Sequence, residues 1–186
     1  YKRPVLIGES GLNADSPENY PANSEIGIRH AIWAATVSGA MNGRALYWED
    51  SYGIYFPILG IPWMQKYSKE ELPAVKFVNG VDFDGFAPLT ATFTPGIWGA
   101  ALGDDQMVLG WFRDAACEPP DWKLQAVISK QTVTVSVPGT ATNWRVDFYD
   151  TQTGQMLTSI FVTRKGTTII IPLPDFQDDI AFKVHS

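Results

Sequence analysis

The stretch SEIGIRHAIWAATVSGAMNGRALYWED, residues 24–50, decides the fold class because it reads as a helix that leads directly into a buried strand. Asn23 or Ser24 can cap the helix, and Gly43 is expected to end it together with the preceding asparagine. Apolar residues recur within it at helical spacing: Ile28, Ala31, Ile32 and Ala35. Residues 44–50, RALYWED, then predict a short buried strand that ends in acids.

Upstream, residues 5–9 form the run VLIGE, a second apolar segment that ends in a carboxylate. Continuous apolar runs are typical of strands covered on both faces, as in parallel sheets joined by crossover helices. A second crossover helix is expected to begin with Pro73 at its first position and to end before Gly80. Two strands cannot close a parallel sheet, because each needs neighbours for its backbone hydrogen bonds. We therefore expect residues 1–86 to be the last part of a larger α/β domain.

From residue 87 onward the apolar period changes from 3.6 to 2, which is typical of half-buried strands. The strand-like runs are LTATFT (89–94), QMVLGWFR (106–113), LQAVI (124–128), TVTVSV (132–137), NWRVDFY (143–149), MLTSIFV (156–162), TTIII (167–171) and IAFKV (180–184). Turn signals separate these runs at short intervals. Residues 87–186 therefore predict an antiparallel β-sandwich of about a hundred residues.

Composition limits the classes of partner. The 186 residues carry a net charge of -6 without a cluster of lysine or arginine, which argues against nucleic acid and anionic membranes. No apolar run reaches the length of a membrane span, and no signal peptide opens the chain. The single cysteine, Cys117, excludes an internal disulfide and is expected to be a half-buried, inert thiol.

Six motifs together resemble the C-terminal end of a cellulase-like, family-5-type glycoside hydrolase of clan A. They are RPVLIGESG, RHAIWAATVSGAMNGRALYWED, LPAVKFVNGVDF, LGWFRD, VDFYDTQTG and IPLPDFQDDIAFKV. In that family a (β/α)8 barrel is followed directly by a small β-sandwich. The resemblance implies that residues 4–9 and 44–50 are barrel strands seven and eight, so residues 1–86 would form an incomplete TIM-barrel segment.

The same resemblance implies a retaining hydrolase of a β-linked polysaccharide or oligosaccharide, with Glu9 as the nucleophile at the end of strand seven. Trp48 matches the tryptophan that stacks on the sugar. The family's acid/base glutamate follows an asparagine, and no Asn-Glu pair occurs in this sequence. Retaining hydrolysis needs two carboxylates about 5 to 5.5 Å apart. We therefore expect the remainder of the barrel to be a necessary partner and this chain alone to be inactive. The resemblance also implies that the enzyme is extracellular or periplasmic.

Further candidates are less specific. Asp50 is either a ligand of a sugar hydroxyl or a solvated loop acid, and Tyr52 and Tyr55 are candidates for stacking on sugars. His30 is expected to bond a neighbouring loop, and Trp33 to lie in the core. The alternative to the enzyme is a non-catalytic carbohydrate-binding or interaction module, in which Glu9 has no chemical role and merely caps the following segment or binds a loop.

No cofactor or metal ion is expected. The acidic pairs lack the alternating spacing of a calcium loop, and turn chemistry explains them more simply. These pairs are Asp82 with Asp84, Asp104 with Asp105, and Asp178 with Asp179. Zinc-ligand spacing, a glycine-rich phosphate loop and a serine nucleophile elbow are also missing from the sequence.

Overall fold

The computed structural model describes residues 23–40, 69–119 and 121–186. The helices are α1 (Ser24–Ser38) and α2 (Glu71–Val78). The strands are β1 (Ala87–Leu89), β2 (Ala91–Phe93), β3 (Ile97–Gly103), β4 (Met107–Asp114), β5 (Thr132–Ser136), β6 (Asn143–Tyr149), β7 (Met156–Thr163), β8 (Thr168–Pro172) and β9 (Asp179–His185). The predicted strands at residues 5–9 and 44–50 lie outside the described residues, so the incomplete TIM barrel and the boundary at residue 86 stay predictions.

The nine strands form two sheets with antiparallel pairing throughout. One sheet has six strands in the order β1-β3-β4-β9-β6-β7, and the other has three in the order β2-β5-β8. The two sheets pack face to face over one apolar core. This arrangement confirms the antiparallel sandwich that the period-2 pattern predicts.

Alternation along β4 shows how the six-stranded sheet uses both of its faces. Val108 and Phe112 point into the core between the sheets. Leu109 and Trp111 point to the opposite face and are equally buried, because the two helices cover that face. Residues of a strand alternate between faces, so a strand with apolar residues at every position is one that is covered on both sides. The result is three layers: helices, six strands and three strands.

The helical layer is held by large apolar side chains. Ile32 and Trp33 of α1 and Phe77 of α2 lie against Leu109 and Trp111 of the sheet. The rings of Trp33 and Phe77 meet edge to face, with centroids 4.9 Å apart. Trp33 is fully buried, which confirms its expected place in the core. Burial of side chains of this size stabilises the contact by about 1.5–3 kcal/mol each.

The bounds of both helices differ in part from the predicted ones. α1 ends at Ser38 rather than near Gly43, because Gly39 adopts a left-handed conformation with φ 83 that ends the hydrogen-bonded ladder. Ala31 is exposed, and the buried face continues instead through Trp33 and Val37.

α2 begins two residues before its proline. Pro73 is the third helical residue, where the absent N–H costs little because the first-turn amides lack intrahelical acceptors. Gly80 lies past the end of α2 at φ 76, as predicted.

Three strand predictions were wrong in detail. β3 was missed because IWGAALG contains small residues with weak β propensity, although Ala101 and Leu102 are buried. LQAVI forms no strand, and Ile128 makes only an isolated bridge to Phe176. LTATFT is split between β1 and β2, which belong to different sheets.

Neither α1 nor α2 is long and apolar enough to cross a membrane.

Replacing Gly110 with alanine is expected to destabilise the sandwich by about 1–3 kcal/mol, because the new methyl group overpacks the core. A Cβ at Gly110 would lie 2.2 Å from the ring of Phe182, its partner across β4 and β9. That ring is stacked on Phe112, so it has little freedom to move. Urea denaturation measures the effect, with the exposed Thr158→Ala of β7 as the control, expected to change stability by less than about 0.5 kcal/mol. Equal stability of the two variants would contradict the packing described for β4.

Candidate functional site

The predicted sugar-cleaving residues fall outside the part of the chain that the structure describes. These are Glu9, Trp48, Asp50, Tyr52 and Tyr55. Their roles therefore stay predictions. The described residues contain the element between them in sequence, α1, together with the sheet on which α1 packs.

A buried group of polar side chains lies where α1 meets the sandwich, and we call it the junction cluster. It consists of Arg29, His30, Glu70, Cys117, Asp178 and Asp179. Arg29 and His30 are each 4% exposed, and Asp178 is 6% exposed. Charged side chains are rarely buried to this extent unless they are paired, so the contacts of each one matter for the stability of the junction.

Arg29 is the centre of the junction cluster. Its Nη1 donates to Oε2 of Glu70 at 3.3 Å, and its Nη2 donates to Oδ2 of Asp178. Its Nε lies 3.7 Å from Oδ1 of Asp179. Burial by itself lowers the pKa of Arg29, but the charges of Asp179 and Asp178 outweigh burial and raise it. A permanently charged guanidinium thus joins α1 to the residue before α2 and to the start of β9.

Asp178 and Asp179 differ in their surroundings although they are neighbours. Asp179 accepts hydrogen bonds from Nε1 of Trp111 at 2.8 Å and from Oγ1 of Thr151 at 2.5 Å. Burial raises the pKa of Asp179. For Asp178, burial acts in the same direction, but the hydrogen bond and charge of His30, together with Arg29, bring its pKa below the usual range. Asp178 and Asp179 therefore belong to the buried core and do not form a surface turn.

His30 lies beside Asp178 between two indole rings. Its Nε2 donates to Oδ1 of Asp178 at 2.8 Å, which confirms the expected bond to a neighbouring loop. Its ring makes edge contacts with Trp111 and Trp122, with centroids 5.4 and 5.7 Å away. Its Nδ1 is buried and has no hydrogen-bond partner among the described residues.

Cys117 completes the junction cluster. It is fully buried rather than half-buried, because it follows β4 directly and its Sγ lies against His30 of α1 and Asp178. Burial, with the nearby charge of Asp178, raises the pKa of the thiol to about 12. The thiol is therefore protonated and unreactive at neutral pH, in agreement with the expected inert cysteine.

A cavity of about 450 Å³ lies next to the junction cluster. Its lining includes Asn23, Ile26, Arg29, Lys69, Glu70 and Leu124. Two buried members of the cluster, Arg29 and Glu70, therefore face this space.

The contacts of the junction cluster indicate that it positions α1. Glycoside hydrolysis needs two carboxylates that face a sugar, whereas Glu70, Asp178 and Asp179 face Arg29. Among the described residues, these buried acids all contact the same cation, Arg29, and they accept hydrogen bonds from the donors around them. The cluster holds the helix that lies in sequence between the predicted Glu9 and Trp48, and it does not itself present a pair of free carboxylates.

Sequence reasoning missed the partnership of Arg29 with Asp178 and Asp179. The turn interpretation is correct for Asp82, which accepts from the N–H of Asp84 at 3.0 Å. It is also correct for Asp104, which caps the turn before β4. It is wrong for Asp178 and Asp179, because both carboxylates contact the buried guanidinium of Arg29 on α1. The available signal was an Arg-His pair in the middle of an otherwise apolar helix.

Comparison with known proteins shows similarity of fold only. No family model matches the chain, and no curated protein matches it. The family 30 subfamily 8 xylanase Xyn30A of Clostridium acetobutylicum aligns with 99% of this chain at 12% identity and a TM-score of 0.50. A cycloisomaltooligosaccharide glucanotransferase of Paenibacillus aligns with 87% of it at 10% identity and a TM-score of 0.54.

The chain spans less than half of the solved structures that it resembles, since it covers 43% of the xylanase and 27% of the glucanotransferase. The xylanase is a clan A glycoside hydrolase, as the sequence resemblance implies, but it belongs to family 30 and not to a family-5-type group. The chain thus shares its fold with a part of each of these two enzymes, and its family stays a prediction.

Proposed function

We propose that this chain is part of a retaining glycoside hydrolase that acts on a β-linked glycan, with Glu9 as the nucleophile. The observation that carries the proposal is the docking of α1 and α2 on the outer face of an antiparallel sandwich. The structure of a xylanase aligns with almost the whole length of this chain. The resemblance to clan A hydrolases assigns Glu9 to the end of strand seven, before α1, and Trp48 to strand eight, after α1.

The chemistry follows from two carboxylates acting in turn. Glu9 attacks the anomeric carbon while a second carboxylic acid, outside these residues, protonates the leaving glycosidic oxygen and the C–O bond breaks. Water then attacks the glycosyl ester, and the second residue takes its proton. Trp48 supplies an apolar ring for the face of the sugar. The sandwich supports this site indirectly, by holding α1 through Arg29.

Activity measurements on two forms of the protein test the proposal. The full-length protein that carries these residues is expected to hydrolyse xylan or another soluble β-linked glycan, and residues 1–186 alone are expected to give no turnover. The physical reason is that a nucleophile without an acid/base partner cannot complete either displacement. Robust turnover by residues 1–186 would contradict the assignment, because the chain would then need an acid/base of its own.

One observation favours the carbohydrate-binding alternative. Trp98 on β3 is 46% exposed, and the guanidinium of Arg113 lies 5.3 Å from its ring centroid. Arg113 covers one face of this indole, so stacking on a sugar would use the opposite face. Trp111 and Trp144, by contrast, are fully buried. A full-length protein without turnover, combined with depletion of residues 1–186 from solution by insoluble glycan, would favour this alternative.

A further inference from the structure

The cavity beside the junction cluster lies at the N-terminal ends of both helices. Three of its lining residues belong to the cap and first turn of α1, and two directly precede α2: Asn23, Glu25, Ile26, Lys69 and Glu70. The clan A resemblance makes α1 the helix that follows strand seven and α2 the helix that follows strand eight. In a barrel each helix begins near the carboxyl end of the preceding strand, where the substrate binds. The proposed function therefore places the cavity on the same face as Glu9.

The charged side chains around the cavity balance one another. Two carboxylates and two cations line it: Glu25, Glu70, Arg29 and Lys69. Their charges sum to zero, although the whole chain carries a net charge of -6. A charged ligand of either sign would meet a like charge here. A ligand with hydroxyl groups can donate hydrogen bonds to the carboxylates and accept them from the cations. The lining thus favours a neutral, hydroxyl-rich ligand.

Two loops of the sandwich complete the lining of the cavity. Leu124 lies between β4 and β5 and is 42% exposed, and Gln152 lies in the turn between β6 and β7. The side-chain amide of Gln152 makes no hydrogen bond to another described residue. Ligand sites combine apolar surface with a few polar groups that fix orientation. Leu124 offers apolar surface to the C–H face of a sugar ring, and the amide offers a donor and an acceptor to its hydroxyls.

The loop that carries Leu124 is held against α1 in a strained conformation. Trp122 has φ 46, in the left-handed region that bulky residues rarely adopt. Its indole lies on Gly27 of α1, where a Cβ would come within 2.4 Å of the ring. This contact fixes the chain two residues before Leu124. Backbone strain persists only where the surrounding structure enforces it, and it is concentrated at active sites and ligand-binding segments. Trp122 is thus an indication of a binding site that is independent of the lining.

We propose that this cavity is a subsite for a neutral glycan, formed jointly by the two helix N-termini and two loops of the sandwich. The inference rests on the proposed function for the class of ligand, a β-linked glycan. It adds that the sandwich itself contacts the substrate, through Leu124 and Gln152, besides holding α1. The volume of about 450 Å³ lies within the range of small-molecule sites, about 300–1,000 Å³.

Calorimetric titration of the full-length protein with xylohexaose, and with cellohexaose as a second neutral probe, tests the subsite. The protein carries Glu9→Gln throughout, so that binding is measured without turnover. We expect Leu124→Ala combined with Gln152→Ala to raise Kd at least about fivefold, because an apolar contact and a hydrogen bond are lost. Both side chains are exposed, so the fold is expected to be retained, and an unchanged midpoint of urea denaturation verifies this.

Val127→Ala combined with Gln155→Ala is the matched control. Val127 is 59% exposed in the same loop as Leu124, and Gln155 is exposed in the same turn as Gln152, but neither lines the cavity. The control is expected to change Kd by less than about twofold. Equal Kd values for the two double variants, or no binding of either oligosaccharide, would overturn the subsite. Weaker binding by the first double variant, in a protein that still turns over with Glu9→Gln, would support the subsite and refute only the nucleophile.

Discussion

Replacement of Glu9 by glutamine in the full-length protein is expected to lower kcat at least about a thousandfold, equivalent to about 4 kcal/mol of transition-state stabilisation. Glutamine has nearly the same size and shape, but its amide is too weak a nucleophile to attack the anomeric carbon. Initial rates on a soluble β-linked glycan measure the effect. A retaining enzyme cannot turn over without the covalent step, so turnover is expected to be lost. Substrate binding is expected to persist, because glutamine preserves the shape of the site.

Glu49→Gln is the matched control for this change. Glu49 belongs to the predicted strand eight and, by alternation, is expected to point to the opposite side from Trp48. The same substitution there is expected to leave kcat essentially unchanged. A near-normal rate for Glu9→Gln would refute the nucleophile assignment and would favour the carbohydrate-binding alternative.

Replacement of Arg29 by methionine is expected to destabilise the chain by about 3–5 kcal/mol, because it leaves buried carboxylates without their cation. Arg29 is 4% exposed and contacts Glu70, Asp178 and Asp179. Methionine fills much of the same volume, so the loss reports charge rather than a cavity. Urea denaturation of the 186-residue chain measures the free energy of unfolding.

Lys69→Met provides a control on the same acidic partner. Lys69 lies 3.9 Å from Glu70, but its side chain is 64% exposed. Removal of this cation is expected to change the free energy of unfolding by less than about 1 kcal/mol. If Arg29→Met costs no more than Lys69→Met, the junction cluster does not hold α1 in place.

Most of the sandwich could be predicted because burial on a strand imposes a period of two. The runs at β5, β6 and β8 have large buried apolar residues at that spacing, whereas β4 and β9 are apolar on both faces, and glycine or proline separates the runs. β3 could not be found in this way, since its Gly99 sits where a Cβ would meet the carbonyl of Trp111 at 2.1 Å. Close backbone approach requires a residue that propensity ranks as a poor strand former. The end of α1 at Gly39 was missed because a glycine within a run of small residues does not stand out.

The junction cluster lay beyond prediction for a different reason. Its members are separated by about 150 positions in sequence, from Arg29 to Asp178, and no local pattern links them. Helical periodicity places Arg29 on α1 but does not identify its partner. Only the fold brings the start of β9 next to α1, so that an apparent turn pair, Asp178 and Asp179, becomes a buried counterion pair. Local sequence predicts elements, whereas charge pairing between layers depends on topology.

Covalent trapping tests the central claim most directly. A 2-deoxy-2-fluoro glycoside with a good leaving group slows the second displacement, so that the glycosyl ester on the nucleophile accumulates. Proteolysis and mass spectrometry of the treated full-length protein then locate the sugar. We predict a glycosyl adduct on the peptide that contains residues 4–11, with fragmentation assigning it to Glu9. An adduct on any other carboxylate, or inactivation without an adduct on Glu9, would contradict the account.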